Sequence, residues 1–124
     1  MAQITWEDER TKLVANVRPA TYRDDLKRLD MQQEAAKRQH SDDSELVADV
    51  FTYPRLICST PSGEFFIEGR PVTWPPSLDE VLDGSVDAID LWYAEVKRLN
   101  PGWFALMEQP GETKKTTETK QQTE

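Results

Sequence analysis

Apolar residues along this chain recur mostly at steps of three and four. The clearest run is Val86, Ile89, Trp92, Tyr93, Val96 and Leu99, which forms one stripe of a helix. Asp87 and Asp90 lie near its start, and Lys97 and Arg98 near its end. Both placements complement the helix dipole. Ser85 opens this helix and Asn100-Pro101-Gly102 closes it. A second helical run carries Leu46, Val47, Val50 and Phe51. Pro54 predicts its end or a kink near Thr52-Tyr53, with Leu56-Ile57-Cys58 resuming as one short turn. A third spans Tyr22 to Gln39 behind a capping pair, Thr21 and Asp24. Its stripe, Tyr22, Leu26, Leu29 and Ala36, is narrow, so the helix is expected to be long, polar and lightly docked.

Elsewhere the pattern is shorter. In residues 1–20, Trp6, Leu13, Val14 and Val17 fit a helical face, while Leu13, Ala15 and Val17 alternate as a strand would before Pro19. A short helix is the expectation. Phe65-Phe66-Ile67 and Val72-Thr73-Trp74 flank Glu68-Gly69-Arg70-Pro71 and predict a small hairpin near 64–74. Ser77 and Glu80 form a capping box before Val81 and Leu82, and Gly84 suits a left-handed residue after that helix. The expected fold is mainly α: a small helical domain over residues 1–106 with a short β-hairpin (α+β). A disordered polar tail is expected over residues 107–124, whose only apolar residue is Met107.

With 124 residues, one domain fits the length. Nine aromatics lie between Phe51 and Phe104, which places the expected core in the second half. The formal charge is −8, and residues 61–107 hold 3 basic and 8 acidic groups. This segment is both the most aromatic and the most acidic, so it would attract a basic or amphipathic partner. The balance argues against a phosphate-binding surface, and the bases of the first long helix are interleaved with acids; no nucleic-acid partner is expected. No apolar run is long enough for a membrane span, and the first residues lack a secretory-signal pattern. One cysteine, Cys58, precludes an internal disulfide and suits a reducing compartment.

Little points to catalysis. Cys58 and His40 are the one possible Cys–His pair, and Cys58 sits in an apolar run that would blunt its reactivity. His40, Asp42, Asp43, Glu45 and Asp49 lack the spacing of a zinc or calcium site. They read as acids favouring a helix N-terminus, with His40 as an exposed linker residue. No phosphate-cradling or nucleophile-elbow motif occurs. No enzyme activity, metal or cofactor is therefore expected. The candidate partner-binding residues are the adjacent aromatic pairs Trp92-Tyr93 and Trp103-Phe104. Neighbouring positions diverge by about 100° around a helix, so both members cannot face the core equally.

Several segments resemble phage tail assembly chaperones. These are Val17-Arg18-Pro19-Ala20-Thr21-Tyr22, Tyr53-Pro54-Arg55-Leu56, Gly63-Glu64, Gly69 through Trp74, Ile89-Asp90-Leu91-Trp92-Tyr93 and Leu99-Asn100-Pro101-Gly102-Trp103. Together they span residues 17–103. The resemblance implies a non-enzymatic protein of the infected bacterial cytoplasm. It would bind the tape measure protein, keep it soluble and help recruit tail-tube subunits. The alternative expectation is a virion structural protein, a neck or tail adaptor. A small hydrolase using Cys58 or the His40 cluster is the competing enzyme reading.

Overall fold

The computed structural model describes residues 1–104. The expected tail, residues 107–124, lies outside them. The chain opens with β1 (Ala2–Glu7) and β2 (Thr11–Val17), an antiparallel pair. This overturns the short helix expected over residues 1–20. The alternation that decides the matter runs through both segments. Trp6 pairs with Leu13, Ile4 with Ala15 and Ala2 with Val17, and all of them point to one face. Asp8 makes the turn between the strands. Its carboxylate accepts from the Arg10 and Thr11 backbone N–H groups, each at 2.8 Å.

The mainly α expectation is corrected as well. β3 (Ser62–Ile67) pairs antiparallel with β2, and β4 (Arg70–Val72) pairs with β3. The result is a four-stranded sheet in the order β1-β2-β3-β4 within an α+β fold. The hairpin expected near 64–74 is the β3–β4 pair. Its two-residue turn has Glu68 at φ 52° and Gly69 at φ 80°, the doubly positive geometry whose twist matches flanking strands.

Five α-helices follow the chain around one face of this sheet: α1 (Tyr22–Ala36), α2 (Asp43–Val47), α3 (Tyr53–Cys58), α4 (Leu78–Leu82) and α5 (Val86–Leu99). Both expected capping boxes form, Thr21 with Asp24 and Ser77 with Glu80. Between α2 and α3, residues Ala48–Thr52 form a π-helical turn, in which the Tyr53 N–H reaches back five residues to the Ala48 carbonyl. Pro54, which lacks an N–H, sits in the turn just after it. The kink expected there takes the form of this wider turn.

The core joins both halves of the chain. Leu13, Ala15, Val17, Phe65 and Ile67 come from the sheet, Leu56 and Ile57 from α3, and Ala88, Trp92 and Val96 from α5. Most of it lies in the second half, as expected, and β2 adds the fully buried Leu13, Ala15 and Val17. On α5 the buried line runs through Ala88, Trp92 and Val96, and Val86 is left outside. Gly84 does not adopt a positive φ. It is needed for closeness instead: a Cβ there would stand 2.9 Å from Phe65 Cζ.

Candidate functional site

The corner between α4 and α5 forms one wall of an apolar cleft. Leu78, Val81 and Leu82 come from α4, Gly84 from the corner, and Val86, Ile89 and Asp90 from the first turns of α5. The opposite wall is Ala48 and Thr52 of the π-helical turn, with Tyr53 beside them. The Tyr53 hydroxyl donates to the Pro76 carbonyl at 2.6 Å and ties the two walls together. The cleft holds about 210 Å³, small for a drug-sized ligand but enough for one or two side chains. At its mouth, Leu82 is 54% and Val86 73% exposed. Two large aliphatic side chains beside an open apolar cleft form a patch that the fold itself leaves uncovered.

The electrostatics of this corner have one sign. Residues 71–96 contain Asp79, Glu80, Asp83, Asp87, Asp90 and Glu95 and no Lys or Arg. Asp79, Asp83, Asp87 and Asp90 are exposed. Burial, and next the negative charge of Glu80, hold the Tyr53 phenol above its ordinary value. Arg10 approaches from the β1–β2 turn, but its Nε donates to the Asp83 backbone carbonyl at 2.8 Å and its guanidinium pairs with Glu68 at 3.2 Å. The four exposed carboxylates remain available to an incoming cation.

The four aromatic candidates lie elsewhere. Trp92 is fully buried on the sheet; its Nε1 donates to Thr60 Oγ1 at 2.9 Å, and its ring centroid is 5.6 Å from that of Trp74. Phe104 is buried too, edge-on to Tyr93 at 5.2 Å, with the buried Arg55 guanidinium 4.6 Å from its ring. Arg55 Nη1 donates to the Tyr93 hydroxyl at 3.0 Å. Tyr93, Phe104 and Arg55 thus form one cluster. Trp103 belongs to another: its Nε1 donates to Asp25 Oδ1 at 2.9 Å, and Arg28 stacks over its ring at 4.8 Å. Trp92 and Phe104 are committed to the core, while Tyr93 and Trp103 are half-buried and keep an edge at the surface. None of the four lines the cleft.

Sequence reasoning passed over Leu82, Val86 and the cleft wall at Ala48 and Thr52. The available signal was the run of acids without a base between Arg70 and Lys97, with apolar residues set among them. The reactive candidates are separated. Cys58 is buried beside the Met31 thioether at 3.5 Å, and burial pushes its thiol up to about 11. His40 is not an exposed linker residue. Its Nε2 lies 2.9 Å from Asp49 Oδ2, and Arg38 holds the same buried carboxylate through two hydrogen bonds, at 2.7 and 2.9 Å. The Arg38 bonds, against the pull of burial, keep Asp49 below the usual carboxylate range. Asp42 does serve a helix N-terminus, accepting from the Glu45 N–H at 2.8 Å.

Among the described residues, no group of three or more His, Cys, Asp or Glu side chains is arranged to hold a metal ion, and no helix is long and apolar enough to cross a membrane. The chain matches no protein-family model, no curated protein and no solved structure.

Proposed function

We propose that this chain is a non-enzymatic binding protein that holds an amphipathic helix of another polypeptide, and specifically that it is a tail assembly chaperone for a tape measure protein in the infected bacterial cytoplasm. One observation carries this reading: an apolar cleft opens beside the uncovered Leu82 and Val86, on a segment whose charges are all negative. A helix bearing one apolar stripe flanked by Lys or Arg matches that surface in both respects. The apolar stripe covers Leu82 and Val86, and the cations meet Asp83, Asp87 and Asp90. Such a contact is small and salt-sensitive, which suits reversible cover rather than permanent assembly.

The segments behind the family resemblance also meet in the fold. Asn100 Nδ2 donates to the Arg18 carbonyl at 3.2 Å, and its Oδ1 accepts from the Ala20 N–H at 2.7 Å. Arg55 reaches Tyr93, and Gly63 lies under Trp74. These residues build the scaffold, and the cleft is the surface it displays. Tail-tube subunits are the proposed second partner.

Co-expression with a candidate tape measure protein tests the proposal. The expected result is a larger soluble fraction of that protein and its co-purification with the chain, both lost in a Leu82→Asp, Val86→Asp double variant. No gain in solubility and no co-purification would contradict it. Stoichiometric recovery of the chain from purified particles would instead favour a neck or tail adaptor.

A further inference from the structure

Helix α1 carries a second uncovered surface, distinct from the cleft. The helix docks through Met31 and the buried Ala35, with Arg28 stacked on Trp103. Tyr22, Leu26 and Leu29 face the other way and are 78%, 49% and 42% exposed. With the exposed Gln33 and Ala36 they fall at spacings of 4, 3, 4 and 3, the seam of a two-stranded coiled coil. This is the stripe expected to dock, and it does not.

The charges beside the seam restrict what can cover it. Asp24, Asp25, Arg28, Glu34, Lys37 and Arg38 all form ion pairs within the protein. Arg23 and Asp30, exposed and flanking the seam on one side, form none among the described residues. We propose that the seam is an interface between two copies of the chain, in which α1 packs antiparallel against α1 of the second copy. Setting Leu26 opposite Leu29 in both directions puts Tyr22 across from Gln33 and Arg23 across from Asp30, twice by symmetry. A parallel pair would instead set Asp25 against Asp30. An antiparallel pair shifted by one heptad would set Asp30 against Asp30 and Arg23 against Lys37. Only the first arrangement is free of like-charge contacts, and it uses two charges that form no ion pair among the described residues.

A seam of four layers is small for a stable dimer, so the association is weak and reversible. Sedimentation equilibrium on the full chain, from about 5 to 500 μM at low salt, reads it directly. The expected result is a monomer–dimer equilibrium. Leu26→Glu makes the chain monomeric with its thermal melting unchanged, since the side chain is half exposed. Arg23→Asp and Asp30→Arg each weaken self-association about tenfold, and an equimolar mixture of the two recovers it as a heterodimer. Leu82→Asp leaves the dimer intact, which separates this interface from the cleft. A wild-type chain that stays monomeric over the whole range would overturn the proposal. So would a mixture that associates no better than its components, or a Leu26→Glu variant that still dimerises.

Discussion

Gly63 and Gly102 show how differently one residue type behaves in this fold. A Cβ on Gly63 would stand 2.4 Å from the Val14 carbonyl oxygen and 2.7 Å from Trp74 Cη2, so a methyl group there must push the sheet and the ring apart. Gly63→Ala is expected to lower stability by about 1–3 kcal/mol in denaturant unfolding. Gly102 has nothing within 4 Å of that position and no positive φ, so Gly102→Ala is expected to be neutral or stabilising by less than about 1 kcal/mol. Asp8 supplies a second prediction. Its carboxylate accepts from Trp6 Nε1, the Thr11 and Arg10 N–H groups and Ser85 Oγ, at 2.8 to 3.0 Å. These bonds, the Trp6 one foremost, lower it from 3.8 to about 2. A carboxylate depressed in the folded state stabilises the fold above its ordinary value, and that contribution disappears as pH falls through the folded one. Between about pH 4 and pH 2, Asp8→Asn should therefore lose stability less steeply than the wild type, measured by urea unfolding at a series of pH values. The capping residues were legible in sequence because a cap is a local bond across three residues. The closeness at Gly84 was not, since the ring it touches, Phe65, lies in another element.

At the scale of elements, the main helices and the β3–β4 hairpin could be read from the chain, and the pairing of β1, β2 and β3 could not. A helix is specified by its own periodicity and ends. The alternation of Leu13, Ala15 and Val17 is a local mark of a strand, but β2 finds its second partner only at Ser62–Ile67, beyond three helices, so the pairing that makes it central cannot be read locally. The cleft was hidden for the same reason: its walls come from residues 48–53 and 78–90. The stripe on α1 was legible, but not the side that docks, because docking uses Arg28 over Trp103 and small Ala35 rather than the leucines. The aromatic pairs stood out as an excess; in the fold Trp92 and Phe104 fill the core, and aliphatic Leu82 and Val86 are left open beside the cleft. Substitutions at these two positions should separate binding from folding. Leu82→Asp and Val86→Asp are expected to shift stability by no more than about 0.5 kcal/mol in thermal melts. The same changes should weaken partner binding about tenfold or more in a titration.

Over the whole molecule, charge and shape are divided between surfaces. One face of the sheet is covered by helices, and its other face shows Gln3, Thr5, Glu7, Lys12 and Glu64 to solvent. Negative charge gathers on the 71–96 segment, where Glu95 pairs with Arg98 and the exposed Asp79, Asp83, Asp87 and Asp90 lie around the cleft. Binding there should weaken as salt rises, and neutralising Asp83, Asp87 and Asp90 together to Asn should flatten that salt dependence. The most direct test of an apolar cleft gripping a basic amphipathic helix is residue-resolved NMR. The ¹⁵N-labelled full chain would be titrated with a tape measure protein segment whose apolar stripe is flanked by Lys or Arg. The account predicts shift changes centred on Ala48, Thr52, Leu82, Val86, Ile89 and Asp90. Saturation without changes at these residues, or changes confined to the outer face of the sheet, would contradict it.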